Sequence, residues 1–363
     1  MALDDLPIRS DLRGQTAYGA PQLDVAVRLN TNENPYAPEA AIVASIVAKV
    51  SAAAKGLNRY PDRDARELRV ALARYVADRT GHSVTPEMVW PANGSNEVLQ
   101  QILQAFGGCG RRALGFEPSY AMHRLICRGT ATEYRAAERG DRFELTASYV
   151  TSAIKQHDPD VVFLCTPNNP TGTVLGAEVI SAAYEATRGV VIVDEAYGEF
   201  SAQPGAVGLL AGRERLIVVR TLSKALELAG ARLGYAVAAP AVVDALQLVR
   251  LPYHLSAMTQ AVGLAALEHT DSLLGWVEEL KTQRDRMAVE LDHLGFDVYP
   301  SEGNFVFFGG MSDQAELWQQ LVAASVLVRD VGIPGHLRVT AGTPDETDAF
   351  LSAIRAITKE SRP

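Results

Sequence analysis

The sequence predicts an α/β protein in which a large domain, with a mostly parallel sheet covered by helices, is joined to a smaller α+β domain. Short apolar segments alternate with helical segments up to about residue 240. From about residue 256 the pattern changes to long helical segments, and further apolar strands follow. The alternation favours a parallel sheet, because parallel neighbours need long crossover connections that helices supply.

The helices of the large domain are predicted from apolar residues at helical spacing. Segments 39–55 and 64–79 both have this spacing, and the second has an apolar stripe along one face. A further helix is expected to begin beside Ser95, with its hydroxyl as the capping group. After the large domain, a long helix is expected over roughly 273–294.

The strands are short and mostly apolar. Segment 190–193 consists of four β-branched residues, which is typical of a strand buried on both faces. The expected strands are 112–116, 161–165, 190–193, 216–219 and 235–238 in the large sheet, and 304–308 and 337–340 in the small domain.

The same order predicts where the domains divide. We expect residues 1–45 to form an N-terminal arm and part of the small domain, and residues 46–255 to form the large domain. Residues 256–363 then supply a linking helix and the rest of the small domain. The small domain is therefore expected to contain both ends of the chain.

Length, charge and cysteine content limit the class of protein. The 363 residues exceed one typical domain and suffice for a large core. A formal net charge of −9 disfavours a surface for nucleic acid. The three cysteines, Cys109, Cys127 and Cys165, are scattered, which indicates a reduced cytoplasmic protein rather than a disulfide framework.

Several targeting and binding signals are missing from the sequence. The amino terminus lacks the basic and apolar regions of a signal peptide. No apolar run approaches the roughly 20 residues of a membrane span. The seven histidines show no spacing typical of metal ligands. We therefore expect no membrane partner and no metal site.

Lys224 is the most informative residue of the sequence. It follows the apolar strand 216–219 and is surrounded in the sequence by side chains that are able to bind a phosphate group. Thr221 and Ser223 supply hydroxyls, and Arg232 supplies a guanidinium eight residues later. A lysine held at such a strand end is able to form a Schiff base with pyridoxal 5'-phosphate (PLP), whose phosphate needs these donors. A lone lysine is more often a solvated surface charge, so the interpretation depends on other segments.

Two further segments place polar residues at strand ends. Asn169 lies in a turn rich in Pro, Asn and Gly after strand 161–165, at the edge where open parallel sheets bind ligands. Asp194 directly follows strand 190–193, and Tyr197 comes three residues later. Taken singly, the turn residues are better explained by a strand-to-helix turn, and Asp194 is better explained as a helix cap.

Taken together, the ordered motifs resemble the class I/II aminotransferases of PLP fold type I. The motifs are Asn169-Pro-Thr-Gly, Asp194-x-x-Tyr197, and Ser223-Lys224 with Arg232. Within that class the chain most resembles the histidinol-phosphate aminotransferase family in its actinobacterial form. The supporting stretches are residues 17–22, 29–35, 58–62, 92–97, 251–255 and 328–332.

The resemblance implies roles for the groups around the cofactor ring. Lys224 would bind the PLP aldehyde and later move a proton as general base and acid. Asp194 would face the ring nitrogen and favour its protonated form. Asn169 and Tyr197 would hydrogen-bond the phenolic oxygen. Tyr120 matches the ring-stacking position, although an aromatic residue there could equally pack in the core.

The resemblance also implies a phosphate site and a dimer. Backbone N–H groups at a helix start suit an anion, and side-chain donors complete the cup. These residues are Gly94, Ser95, Asn96, Ser223 and Arg232, with Thr221 a weaker candidate. In the family a tyrosine from the neighbouring subunit reaches the same phosphate, and Tyr60 occupies that motif. A homodimer with shared active sites is therefore expected, unless Tyr60 is simply a turn aromatic.

Three residues far apart in the chain match family contacts to substrate. Arg338 matches the arginine that grips an anionic group, and its planar fork suits carboxylate and phosphate alike. Arg329 and Tyr18 match further phosphate contacts, although an ion pair of Arg329 with Asp330 or another surface carboxylate explains that arginine equally well.

The implied reaction exchanges an amino group between histidinol phosphate and 2-oxoglutarate, giving imidazole-acetol phosphate and glutamate in histidine biosynthesis. Two other enzymes share the core motifs and stay open as alternatives, an aromatic-amino-acid aminotransferase and a threonine-phosphate decarboxylase. A non-catalytic PLP-binding protein is a third alternative of a different kind. Leu226, Glu227 and Ala231 depart from the residues usual in the family, which bears on substrate preference rather than on the type of reaction.

Overall fold

The structure, a computed structural model, describes residues 5–360. In this range the helices are α1 Ala40–Ala54, α2 Arg66–Thr80, α3 Ser95–Phe106, α4 Ala121–Gly129, α5 Ala147–His157, α6 Ala177–Ala186, α7 Pro240–Val249, α8 Ala257–Leu267, α9 Thr270–Leu273, α10 Val277–His293, α11 Gln314–Ala323 and α12 Pro344–Glu360. The strands are β1 Val27–Arg28, β2 Val89–Ala92, β3 Arg112–Glu117, β4 Glu133–Glu138, β5 Val161–Cys165, β6 Val190–Asp194, β7 Leu216–Thr221, β8 Gly234–Ala238, β9 Asp297–Val298, β10 Phe305–Gly309, β11 Val326–Leu327, β12 Arg329–Asp330 and β13 Leu337–Thr340.

The large sheet has seven strands in the order β2-β8-β7-β6-β5-β3-β4. Only β8 runs against its neighbours, and all other adjacent pairs in the sheet are parallel. The predicted α/β class with a mostly parallel sheet is confirmed, as are the five predicted strands of this sheet.

Within the large sheet, the sequence prediction missed two strands, β2 and β4, which are its edges. Strand β2 contains Pro91, which an edge strand tolerates because one side of its backbone has no strand to pair with. Strand β4 is largely exposed and carries Glu133, Arg135 and Glu138 among its six residues. The proline in β2 and the charged residues in β4 therefore hide these two strands from a prediction based on short apolar segments.

Helices cover both faces of the large sheet, so its central strands are buried on both sides. Along β6, Val191 and Val193 pack into the hydrophobic cluster that includes α2. Their neighbours Val190 and Ile192 pack into the opposite cluster, which includes α3. This alternation confirms the prediction of a strand buried on both faces.

The small domain is an α+β region, as predicted. Four strands form an antiparallel sheet in the order β12-β13-β10-β9. Strand β1, close to the amino terminus, pairs in parallel with β11, with Val27 opposite Val326. Both ends of the chain thus contribute to this region. The domain boundaries 1–45, 46–255 and 256–363 stay a prediction.

Two details of the helix predictions were wrong. Ser95 is the first residue of α3 rather than its cap, and Gly94 occupies the cap position with φ 82°. A Cβ atom on Gly94 would lie 2.7 Å from an Arg232 guanidinium nitrogen, so this backbone position favours glycine. The long helix predicted over roughly 273–294 is observed as α10, which begins later than predicted, at Val277. In the described range, no helix is long and apolar enough to cross a membrane.

Candidate active site

A cavity of about 670 Å³ lies at the carboxyl edge of the large sheet, the edge where open α/β sheets bind ligands. The predicted site residues that line it are Tyr18, Ser95, Asn96, Tyr120, Asn169, Asp194, Tyr197, Thr221, Ser223, Lys224, Arg232, Arg329 and Arg338. Gly94 directly precedes the lining residue Ser95. Tyr60 does not line the cavity.

Lys224 follows the carboxyl end of β7 and reaches into this cavity. Its Nζ atom donates a hydrogen bond to the Thr31 carbonyl oxygen at 3.0 Å and lies 6.0 Å from the Tyr197 ring centroid. Burial, together with the positive charges of Arg338 and Arg232, lowers the pKa of Lys224 to about 8. A substantial fraction of the amine is therefore neutral at slightly alkaline pH, as a nucleophile or base requires.

Asp194, at the end of β6, is paired with a histidine that the sequence prediction missed. His123 on α4 contacts the Asp194 carboxylate at 3.0 Å, and both residues are buried. The His123 ring stacks on Phe163, with centroids 4.5 Å apart. The other carboxylate oxygen accepts from the Ala196 N–H. The buried carboxylate is thus held in one orientation with one face toward the cavity.

The sequence offered only a weak signal for His123. His123 has no metal-ligand spacing to another histidine, so the sequence pattern assigns it no role. Its helix places it on the same buried face as Ile126 and Cys127, where a histidine needs a polar partner. Only the fold shows that the partner is Asp194, 71 residues further along the chain.

Tyr197 and Asn169 lie together, as their strand-end positions predicted. The Asn169 amide nitrogen donates to Tyr197 Oη at 3.3 Å, and its carbonyl oxygen accepts from Arg338 at 2.6 Å. Asn32 also donates to Tyr197 Oη, at 2.9 Å. Burial raises the pKa of Tyr197 to about 12, so its hydroxyl is protonated at neutral pH.

The groups predicted to hold phosphate converge on the start of α3. Ser95 and Asn96 are the first two residues of the helix, where backbone N–H groups favour an anion. The Arg232 guanidinium lies against Gly94, and Ser223 accepts from the Thr221 hydroxyl at 3.0 Å.

Tyr120, which is predicted to stack on the cofactor ring, also lines the cavity close to the start of α3. The Tyr120 hydroxyl donates to the Asn96 side chain at 3.2 Å, and its ring meets the edge of His123. Tyr120 therefore lines the cavity and packs against the Asp194–His123 pair at the same time.

Arg338 and Arg329 approach from the small domain. Arg338 is 6% exposed and donates to Asn169 and to the Asn30 carbonyl oxygen, while its Nε atom has no partner. Burial lowers the pKa of Arg338 to about 10. The Arg329 guanidinium lies 5.8 Å from the Tyr18 ring centroid and donates to the Gly19 carbonyl oxygen.

These cations lack carboxylate partners, although the chain as a whole is acidic. Among the residues that the structure describes, Lys224, Arg329 and Arg338 form no ion pair with a carboxylate, and neither does Arg232. The alternative of an ion pair between Arg329 and Asp330 is therefore not observed. A cavity lined by such cations is electrostatically suited to anionic ligands.

Tyr60 is 78% exposed and stacks on Tyr253, with ring centroids 4.4 Å apart. The single chain therefore places Tyr60 on the surface and not with the other predicted site residues.

Comparison with known proteins agrees with this architecture. The aminotransferase class I and II family matches residues 24–354. The histidinol-phosphate aminotransferase of Paenarthrobacter aurescens is 56% identical over 366 residues, covering 99% of this chain and 97% of the relative. That of Streptomyces avermitilis is 58% identical over 362 residues, covering 99% and 98%.

A solved structure has the same fold. The histidinol-phosphate aminotransferase of Sinorhizobium meliloti, solved in complex with pyridoxal-5'-phosphate, matches with a TM-score of 0.81 at 23% identity, covering 93% of this chain and 92% of the other. The predicted aminotransferase fold is thereby confirmed. From the family match and the two full-length relatives it follows that the chain belongs to the class I and II aminotransferases, within the histidinol-phosphate aminotransferase family.

Proposed function

We propose that this protein binds PLP and transfers an amino group between histidinol phosphate and 2-oxoglutarate, giving imidazole-acetol phosphate and glutamate. The observation that carries the proposal is the buried Arg338, which has no carboxylate partner in the described chain and lines the same cavity as Lys224. An anion-binding arginine beside a lysine of lowered pKa suits an anionic amino donor. The relatives named above carry this activity in their names.

The donor set of the cavity fits PLP. The phosphate would lie at the start of α3, held by Gly94, Ser95, Asn96, Thr221, Ser223 and Arg232. The His123-supported carboxylate of Asp194 would face the protonated ring nitrogen, and Tyr120 would stack on the ring. Bound PLP would supply an electron sink that accepts the electron pair left when the substrate Cα–H bond breaks.

Lys224 would first hold the cofactor covalently and then act on the substrate. Its lowered pKa keeps a neutral amine available to remove the proton from the substrate Cα. The Thr31 carbonyl oxygen accepts one N–H of the amine and so restrains its position. The same amine would later return the proton, acting as general acid.

Arg338 would bind the anionic group that the two substrates present in different forms. Glutamate offers a carboxylate on Cα, and histidinol phosphate offers a phosphate on a methylene group. A guanidinium fork binds either anion through paired hydrogen bonds. Arg329 and Tyr18, which lie together at the cavity wall, would add further contacts to the phosphate.

The proposed enzyme is a cytoplasmic homodimer. The exposure of Tyr60 supports a role at a partner's active site, because most of its surface is accessible to a second subunit. Each site would then contain Tyr60 from the neighbouring subunit, and a separated monomer would be inactive.

A paired-substrate assay tests this function. The purified wild-type protein should transfer the amino group from histidinol phosphate to 2-oxoglutarate, whereas Lys224→Ala should lose turnover and the visible absorbance of bound PLP. Lys155→Ala, at an exposed lysine on α5, is the matched control and should behave as wild type. Preference for phenylalanine, release of CO2 from threonine phosphate, or turnover retained by Lys224→Ala would each contradict the proposal.

A further inference from the structure

Asn32 has a set of contacts that the proposed function has not used. It is 1% exposed and has a left-handed backbone with φ 54°, which is uncommon for a residue other than glycine. Its side-chain amide nitrogen donates to Tyr197 Oη at 2.9 Å, and its backbone carbonyl oxygen accepts from the side chain of Asn304. A buried polar residue in this conformation is held by its hydrogen bonds.

The orientation of the Asn32 side-chain amide is fixed by Thr340 on β13. The Asn32 backbone N–H donates to Thr340 Oγ1 at 3.0 Å, so the single hydroxyl proton of Thr340 is directed elsewhere. That proton is donated to Asn32 Oδ1 at 2.9 Å. Since Oδ1 is engaged as an acceptor, Nδ2 is the atom that faces Tyr197.

Asn169 is oriented in the same way by a different residue. Its Oδ1 atom accepts from Arg338 at 2.6 Å, and a guanidinium only donates. Its Nδ2 atom therefore faces Tyr197 Oη, at 3.3 Å. Two amide donors thus converge on one phenolic oxygen.

This arrangement determines where the hydroxyl proton of Tyr197 points. Two N–H donors occupy the lone pairs of the oxygen, and amide nitrogens accept no proton in return. Within residues 5–360, the hydrogen bonds of Tyr197 Oη are those in which it accepts. The open side of Tyr197 is the cavity, which it lines together with Lys224 and Asp194.

We propose that Asn32 is a positioning residue that turns the Tyr197 hydroxyl proton into the cavity, toward the phenolic oxygen of PLP. The inference rests on the proposed function, because it requires PLP in this cavity. A hydroxyl donated to that oxygen favours the ionised form of the bound cofactor and lowers the pH at which its absorbance changes. Removal of Asn32 frees a lone pair on Tyr197 and leaves the hydroxyl with other orientations.

The test is a pH titration of the visible absorbance of the PLP-bound protein. Asn32→Gly removes the amide and suits the left-handed backbone. It should raise the midpoint by roughly half to one pH unit, the equivalent of about one hydrogen bond. Tyr197→Phe should raise it at least as much. Adding Asn32→Gly to Tyr197→Phe should produce no further shift, because the hydroxyl on which Asn32 acts is gone.

Asn304→Ala is the control for loss of local packing, since Asn304 contacts Asn32 only through the backbone carbonyl. It should leave the midpoint unchanged even if thermal stability falls. If Asn32→Gly does not fold, Thr340→Val removes the hydroxyl that orients the amide and should give a smaller shift of the same sign. The dissociation constant for PLP, measured by fluorescence, should rise with Asn32→Gly and not with Asn304→Ala.

The outcomes separate this inference from the proposed function. A wild-type protein that binds no PLP would overturn both. A wild type that titrates normally and an Asn32→Gly variant with the same midpoint would overturn the inference alone. So would a shift that adds to that of Tyr197→Phe, or an equal shift caused by Asn304→Ala.

Discussion

Two arginines of this protein are equally buried and have opposite electrostatic surroundings. Arg220 on β7 and Arg338 on β13 are each 6% exposed. Arg220 donates two hydrogen bonds to the Glu195 carboxylate, at 2.7 and 3.0 Å. Arg338 donates only to neutral oxygens, those of Asn169 and Asn30. The two side chains are therefore equally buried, and they differ in whether a carboxylate accepts their hydrogen bonds.

The pKa directions of the two arginines follow from this difference. Burial lowers the pKa of Arg220, but the negative charge of Glu195 outweighs it and the net pKa is raised. Burial lowers the pKa of Arg338 to about 10. The charge of Arg220 is neutralised within the protein, whereas the charge of Arg338 has no carboxylate partner in the described chain and is available to a ligand.

Removal of the Glu195 carboxylate, the partner of Arg220, should have the largest effect on stability. Glu195→Gln would leave the Arg220 guanidinium buried without an opposite charge and should lower the free energy of unfolding by about 3–5 kcal/mol. Urea denaturation of the cofactor-free protein measures this change. A loss below about 1 kcal/mol would show that the ion pair does not stabilise the fold.

Removal of the second arginine should mainly affect activity. Arg338→Leu should lower kcat/KM for glutamate and for histidinol phosphate by about 10²- to 10³-fold, because a buried charge-assisted contact to substrate is lost. Its free energy of unfolding should fall by at most about 1.5 kcal/mol. Arg338→Lys keeps the charge without the fork and should recover part of the activity. A variant that unfolds as readily as Glu195→Gln would contradict the comparison.

The charge of Arg338 should also have a measurable effect on the pKa of Lys224. Only the neutral amine attacks the PLP aldehyde, so the rate of cofactor binding should rise with pH through about 8. Arg338→Leu removes a positive charge that lowers the pKa of Lys224, and the midpoint should move upward. Arg329→Leu is the control and should leave the midpoint in place. Stopped-flow absorbance at several pH values measures the rates.

The smallest effect is expected from a second carboxylate close to Arg220. Glu199 has a buried carboxylate oxygen without a hydrogen-bond partner in the described chain, and desolvation of the group raises its pKa. Glu199→Gln should change the free energy of unfolding by less than about 1 kcal/mol, since the Arg220–Glu195 pair remains. Equal destabilisation by Glu199→Gln and Glu195→Gln would show that Arg220 is shared between the two carboxylates.

Much of the fold and several residues of the site could be predicted from local sequence pattern. Asn169, Asp194 and Lys224 each follow an apolar segment, and the carboxyl ends of parallel strands meet at one edge of a sheet. Their convergence could therefore be predicted without a structure. The edge strands β2 and β4 could not, because Pro91 and the charged residues of β4 give no strand signal.

The residues that support the site were beyond sequence reasoning for a physical reason. Asn32 contacts Tyr197 from 165 residues away, and His123 contacts Asp194 from 71 residues away. Nothing in the spacing of an asparagine or a histidine indicates which distant group will satisfy it. Tyr60 is a further case, because its predicted contact lies on a second subunit.

The sequence by itself determined the order of strands and helices and the chemical types at the strand ends, because periodicity and turn chemistry are local properties. Only the tertiary structure showed which of the two buried arginines, Arg220 or Arg338, has a carboxylate partner within the described chain. Both lie in short apolar strands, and apart from the family resemblance of Arg338 no local pattern distinguishes them. Packing brings Glu195 to the first and leaves the second facing the cavity, since ion pairing depends on residues that only folding brings together.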